Sequence, residues 1–290
     1  MVSSAGIVDI HTHAFPDALA ARAVAHLGAQ ANVRARLDGT VAALLTSMDR
    51  AGIDRSVVCS IATEPRQFAS ILRWSLGIAG PRLVPFPSVH PASPEAIEEV
   101  GRVAGAGFLG LKLHPEYQDF HADDPGLAEF YGAISFAGLV VLFHAGHDIG
   151  FPDSERSAPR RILQVVRSFP GLRVIASHLG GFRRWEEVAA DLLGSDIYLD
   201  TSYTLGHIPP DLFLEIVRGH RADRVLFGSD SPWCGQQEAL SEFRALGLDP
   251  EREAAILGGN ARALLGPGGG RCGWAAPPSD AAAEAQRGRW

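Results

Sequence analysis

A chain of 290 residues with 46% hydrophobic and 20% charged residues can bury a large core, which excludes a disordered chain and a small disulfide-held domain. Its net charge of −7, with acids and bases interspersed, excludes a basic nucleic-acid stripe and argues against anionic membranes. Cys59, Cys234 and Cys272 are far apart and form no C-x-x-C pair, so neither a thiolate zinc site nor a disulfide framework is expected, and reduced thiols in a cytoplasm fit best.

The N-terminus reads MVSSAGIVDIHTHAFP, without the basic and apolar regions of a signal peptide. No later stretch approaches the roughly 20 apolar residues of a membrane helix. In chain order, a strand is predicted at 6–11, closing on His11 with His13 just beyond, then a helix at 41–51 and a strand at 55–61. The strand at 82–88 ends near Ser88 and His90, and Ser93-Pro94 starts a helix at 94–104. The strand at 108–113 ends at Lys112 and His114, and Pro125 precedes a helix at 127–136. Strand 139–144 closes on His144 before a helix at 158–169, and strand 172–177 runs into His178 before a helix at 182–193. Strand 196–201 ends at Asp200 and Thr201, Pro209-Pro210 opens a helix at 210–218, and strand 224–228 leads to Asp230.

Strands that alternate with helices pair in parallel, and eight such units close into a (β/α)8 TIM barrel, which needs ~250 residues. The rival doubly wound sheet carries a glycine-rich turn after its first strand, where this chain has His-Thr-His. The barrel is assigned to residues 1–266. From Pro267 the composition shifts to Gly, Pro and Ala, and 267–290 reads as a flexible tail. Polar residues gather where the strands stop, which is where barrel enzymes place their chemistry.

Strand periodicity puts Asp9, His11 and His13 on one face, close enough for the two imidazoles to share a metal. Taken singly, H-x-H reads as surface histidines, His144 or His178 as a core histidine, and Asp230 as a helix cap. Together, three histidines and a carboxylate converging from separate strands form an N/O site suited to zinc, iron or manganese. His114 and His90 are expected to line the pocket, whereas His26, His121, His207 and His220 read as surface or loop residues. Phe15, Phe151, Tyr203 and Trp233 are candidates for an apolar wall around a small ring.

The segments DIHTHAFP, LKLHPEYQDF, VVLFHAG, VIASHLGG, RVLFGSDSPW and ILGGNARALLG resemble the amidohydrolase superfamily. The likeness is to its second amidohydrolase branch, which also holds aminocarboxymuconate-semialdehyde and resorcylate decarboxylases. The resemblance runs from about Val8 to Leu265. It implies metal ligands His11, His13, His144 and Asp230, with His178 polarising the substrate or relaying a proton. It also raises a carboxylated Lys112 bridging two metals. A charged Lys112 contacting an anionic substrate is preferred, and with it one divalent ion, zinc before manganese or iron.

The expected activity is hydrolysis of a small molecule by metal-activated water, with Asp230 accepting the water proton. The alternative is non-oxidative decarboxylation of a small aromatic or unsaturated acid. A non-catalytic binding barrel is the rival of another class. No nucleic-acid or membrane partner is expected, and assembly into a homo-oligomer stays open.

Overall fold

The computed structural model describes residues 6–266, so the tail expected at 267–290 lies outside the described residues. Each predicted strand is present: β1 (Ile7–Thr12), β2 (Ile53–Cys59), β3 (Leu83–Phe86), β4 (Gly110–Leu113), β5 (Val140–Phe143), β6 (Arg173–Ala176), β7 (Tyr198–Asp200) and β8 (Val225–Leu226). All neighbours pair in parallel, in the orders β1-β2-β3 and β4-β5-β6-β7-β8. Backbone bonds span the two seams. Lys112 N–H donates to Pro87 O at 2.9 Å between β3 and β4, and Ile10 N–H to Phe227 O at 2.9 Å between β1 and β8. The architecture is the expected (β/α)8 arrangement.

The helices in chain order are α1 (Asp17–Ala31), α2 (Val41–Ala51), α3 (Phe68–Ile78), α4 (Ala96–Gly105), α5 (Ala128–Phe136), α6 (Pro159–Ser168), α7 (Trp185–Asp191), α8 (Pro210–Gly219), α9 (Gln236–Ala245), α10 (Pro250–Ala254) and α11 (Asn260–Leu265). Local chemistry sets several ends. Thr40 caps α2, its side chain accepting from Ala43 N–H at 3.1 Å, and Gly52 in the left-handed region closes it. Proline occupies the first turn of α6 and α8, where its missing N–H costs nothing.

Alternation along the strands sorts side chains into two layers. Val8, Ile10, Val57, Phe86, Val140 and Leu142 fill the barrel interior with Ala261 and Leu264 of α11. The intervening positions, among them Val58, Leu111, Val141, Phe143 and Val174, pack outward against the helices. With both faces covered, β3, β4 and β5 are buried at every residue. Among the described residues no helix is long and apolar enough to cross a membrane.

One expectation about β1 is corrected. Its register against β2 slips between Asp9 and Thr12, so Asp9 does not share a face with His11 and His13. Its carboxylate instead accepts from Ser229 N–H at 2.9 Å, Ser229 Oγ at 2.6 Å and Gln236 Nε2 of α9 at 2.8 Å. Completely buried, Asp9 has its pKa pushed up to about 6 by the loss of water, which those hydrogen bonds only partly counter.

Candidate active site

The seam between β1 and β8 builds the first part of the mouth. Asp230 N–H donates to His11 O at 2.8 Å, and Asp230 sits at φ 67°, a left-handed conformation costing roughly 1–2 kcal/mol in a non-glycine residue. That geometry turns its carboxylate towards β1. Asp230 Oδ1 lies 3.2 Å from His13 Nε2 and 3.5 Å from His11 Nε2, and the two Nε2 atoms are 3.2 Å apart. Burial alone would raise the Asp230 pKa, but the His13 and His11 side chains beside it outweigh that and keep the carboxyl ionised.

The far sides of the imidazoles fix their tautomers. His13 Nδ1 lies 3.0 Å from Cys59 O, which can only accept, so Nδ1 carries the proton. His11 Nδ1 lies 3.0 Å from Asp200 Oδ2 and 2.9 Å from Ser202 Oγ. Burial, followed by the nearby Lys112 charge, pushes the His11 pKa down to about 3, so its ring is neutral. Both Nε2 lone pairs therefore face an ionised carboxylate oxygen with no hydrogen between them. Three acceptors that converge in this way fit a cation, and the outer hydrogen bonds are those that orient metal-ligating histidines.

Lys112, on β4 and only 1% exposed, places Nζ 3.3 Å from His11 Nε2. Burial lowers its pKa below that of an ordinary lysine. His178, after β6, lies at φ 57°. Its Nδ1 is 2.9 Å from Ser202 O, so that nitrogen donates, and its Nε2 accepts from His144 Nδ1 at 3.2 Å. Gly146 allows the β5 and β6 loops to meet: at φ 92° its backbone bridges to Phe182, and a Cβ there would run into the backbone of Gly181 and Phe182.

The ring of His144 stacks on that of His114, with centroids 4.2 Å apart and planes 6° from parallel. Asp148 Oδ2 lies 3.3 Å from His114 Nε2 and 3.7 Å from His144 Nε2. Of the four expected metal ligands, His11, His13 and Asp230 thus come within 4.8 Å of one another, while His144 falls in a second trio with His114 and Asp148 that meets the same limit.

Both trios, together with His178 and Lys112, line one cavity of about 510 Å³. Its walls are apolar, with Phe15, Leu27, Trp74, Tyr203 and Trp233 among them. α1 and α3, neither expected from the sequence, supply much of that wall. His26 of α1 is exposed, as expected, and also borders the cavity. His90 does not line it, its Nδ1 instead accepting from Ala92 N–H at 3.1 Å. Phe151 packs on Tyr117 with centroids 5.0 Å apart. His220, read as a surface or loop residue, is buried, with Nε2 2.8 Å from Ile197 O. Sequence reasoning missed Asp148 and Glu116, which follow no strand-end pattern. It also missed Ser202, whose only signal is its place two residues after Asp200.

A family model described as Amidohydrolase matches residues 8–266. The chain belongs to the amidohydrolase family. No curated protein matches it, but solved structures do. An uncharacterised TIM-barrel protein of Bordetella bronchiseptica is 23% identical, with a TM-score of 0.73 over 89% of this chain and 98% of its own. The 5-carboxyvanillate decarboxylase of Sphingomonas paucimobilis is 15% identical, with a TM-score of 0.69 over 90% and 98%. A dihydroxybenzoic acid decarboxylase of Polaromonas sp. JS666, solved with bound manganese and the inhibitor 2-nitroresorcinol, is 15% identical, with a TM-score of 0.68 over 89% and 96%. At these identities the likeness concerns the fold, and the chemistry of this amidohydrolase has to be argued from its own mouth.

Proposed function

We propose that this amidohydrolase-family protein is a metal-dependent decarboxylase of a small aromatic or unsaturated carboxylic acid. The observation that carries this reading is the composition of the pocket. A cation-ready trio and a buried lysine stand at the floor of a cavity whose walls are otherwise apolar. Such a cavity suits a flat hydrophobic body with its charge at one end. The decarboxylases among the structural neighbours favour this reaction over the hydrolysis expected from the sequence.

His11, His13 and Asp230 would hold a divalent ion, with zinc, manganese and iron all matching two imidazoles and a carboxylate. Bound there, the ion would supply Lewis-acid polarisation at the carboxylate end of the substrate. Lys112 pairs its ammonium with the carboxylate and so orients the bond to be broken. Asp230 is ionised at rest, so its carboxylate takes a proton from an acidic group of the substrate or from water. It returns that proton to the carbon from which carbon dioxide departs. His178, held as an acceptor at Nε2 by its bond to Ser202 O, orients the reacting end. The aromatic walls exclude water from the carbanion-like centre.

The test is a panel of hydroxybenzoates, unsaturated acids, lactones and amides incubated with the manganese- or zinc-loaded enzyme. Carbon dioxide release from an acid is the expected result. Ring opening of a lactone or cleavage of an amide, without carbon dioxide, would transfer the conclusion to hydrolysis.

A further inference from the structure

The cavity is larger than the reacting end of a small acid requires. An apolar cavity of ~150 Å³ is enough to hold benzene, whereas this one encloses about 510 Å³. The additional wall comes from α1 and α3. Leu19, Ala23, Leu27 and Ala31 line the cavity at four-residue spacing, so one face of α1 borders it for ~18 Å at 1.5 Å rise per residue. Gln67, Ser70, Ile71 and Trp74 line it from the start of α3 at spacings of three and four.

This wall has no apolar partner of its own. Ala20 is the only buried residue of α1, and Leu19 is 42% exposed. An apolar helix face held beside a cavity, and not packed into the core, is a surface that a ligand of matching polarity would cover. Charge is confined elsewhere. Of the lysines, arginines and carboxylates among the described residues, only Lys112, Asp148 and Asp230 line the cavity. His26, Thr63 and Ser70 border it and are exposed, which places its outer end at solvent. The last turn of α1 is tied to the loop after β4, where Tyr117 Oη donates to Gln30 Oε1 at 3.2 Å.

We infer that the substrate carries an unbranched alkyl arm of several carbons, which lies along α1 and α3 while its carboxylate end stands on the floor. The reacting end rests on the decarboxylase reading, and the arm rests on the two helices. Ala23 and Ile71 determine specificity, because they touch the arm and not the reacting atoms. Burying a methylene raises affinity about fourfold when complete and about twofold when half complete.

The test titrates para-alkylbenzoates, from methyl to octyl, into the manganese-equilibrated protein by calorimetry. Carbon dioxide release is measured in parallel from the matching hydroxybenzoates. Affinity should rise about two- to fourfold per added methylene, and Ala23→Phe and Ile71→Gln should each flatten that rise. Ala21→Phe, on the exposed outer side of α1, should keep the parental slope. Affinity in the parent that is flat or falls as the chain grows overturns the arm, as does a slope unchanged in both Ala23→Phe and Ile71→Gln. Carbon dioxide release with a flat profile leaves the decarboxylase reading standing and removes the arm. A rising profile with no carbon dioxide from any acid supports the arm and removes that reading.

Discussion

The two trios of the mouth use the same donor types on different mechanical foundations. His11, His13 and Asp230 stand where the first and last strands meet, and their outward-facing nitrogens rest on Cys59 O and buried Asp200. His114 and His144 follow the paired strands β4 and β5, but their carboxylate, Asp148, comes from a loop. In both trios the barrel fixes the imidazoles. The difference lies in the carboxylate, which is set by strand-end backbone in one and by a short turn to Gly150 in the other. A preorganised ligand gives up less conformational freedom on binding, so the first trio is the better prepared of the two to hold an ion.

The largest effect should come from His13→Ala. It should remove the ion and take turnover below detection, beyond the ~10²–10⁴-fold attached to acid–base help alone. Elemental analysis alongside a carbon dioxide assay checks this, and an active variant that lacks the ion would end the comparison. Asp230→Asn is the finer cut. It keeps a coordinating oxygen but not the proton-accepting charge, so most of the metal should stay while the rate falls by ~10²–10⁴-fold. Parental turnover with the metal retained would move the proton chemistry to His178.

Outer partners should matter less and only on their own side. Asp200→Asn should weaken the ion by about 10–100-fold in affinity, whereas Glu116→Gln, on the far side of the mouth, should leave it unchanged. Competition with a chelator measures this. An equal loss in Glu116→Gln would show that the two trios act as one.

The smallest expected effect lies away from both trios. Burial holds the His220 pKa below its ordinary value. Below about 6.5 the unfolded chain gains a proton on this histidine that the folded chain resists. Stability present above that pH is therefore lost as pH falls. His220→Gln should flatten part of the decline in urea midpoint between pH 7 and 5, leaving metal content unchanged. A decline of undiminished slope would locate the acid sensitivity elsewhere, with the histidines of the mouth as the next candidates.

Much of this was legible because strands buried on both faces are continuous apolar runs, so the polar residue that ends each run stands out. That signal alone singles out His11, Lys112, His144, His178 and Asp230, all of which line the cavity. It did not reveal α1, whose only buried residue is Ala20 and whose apolar side faces the cavity rather than the core. It misjudged Asp9 because a one-residue slip in register leaves no trace in a two-residue period. It missed Asp148 because a loop carboxylate is chosen by where the chain folds back, which no periodicity records. It misread His220 because its partner, Ile197 O, belongs to another segment and becomes a neighbour only in the fold.

The bond between Asp9 and Ser229 joins residues 220 positions apart, and its consequence concerns time. On the ribosome His11 and His13 emerge early, but the carboxylate that completes their trio is translated only with the last strand. Until β8 is made, the trio of His11, His13 and Asp230 lacks its carboxylate. Closing so long a loop is a late and slow event in folding. After folding, the clasp works in reverse, because parting β1 from β8 both opens the barrel and dismantles the site. On the proposed metal reading, the rate at which an ion leaves this trio would report how often β1 parts from β8.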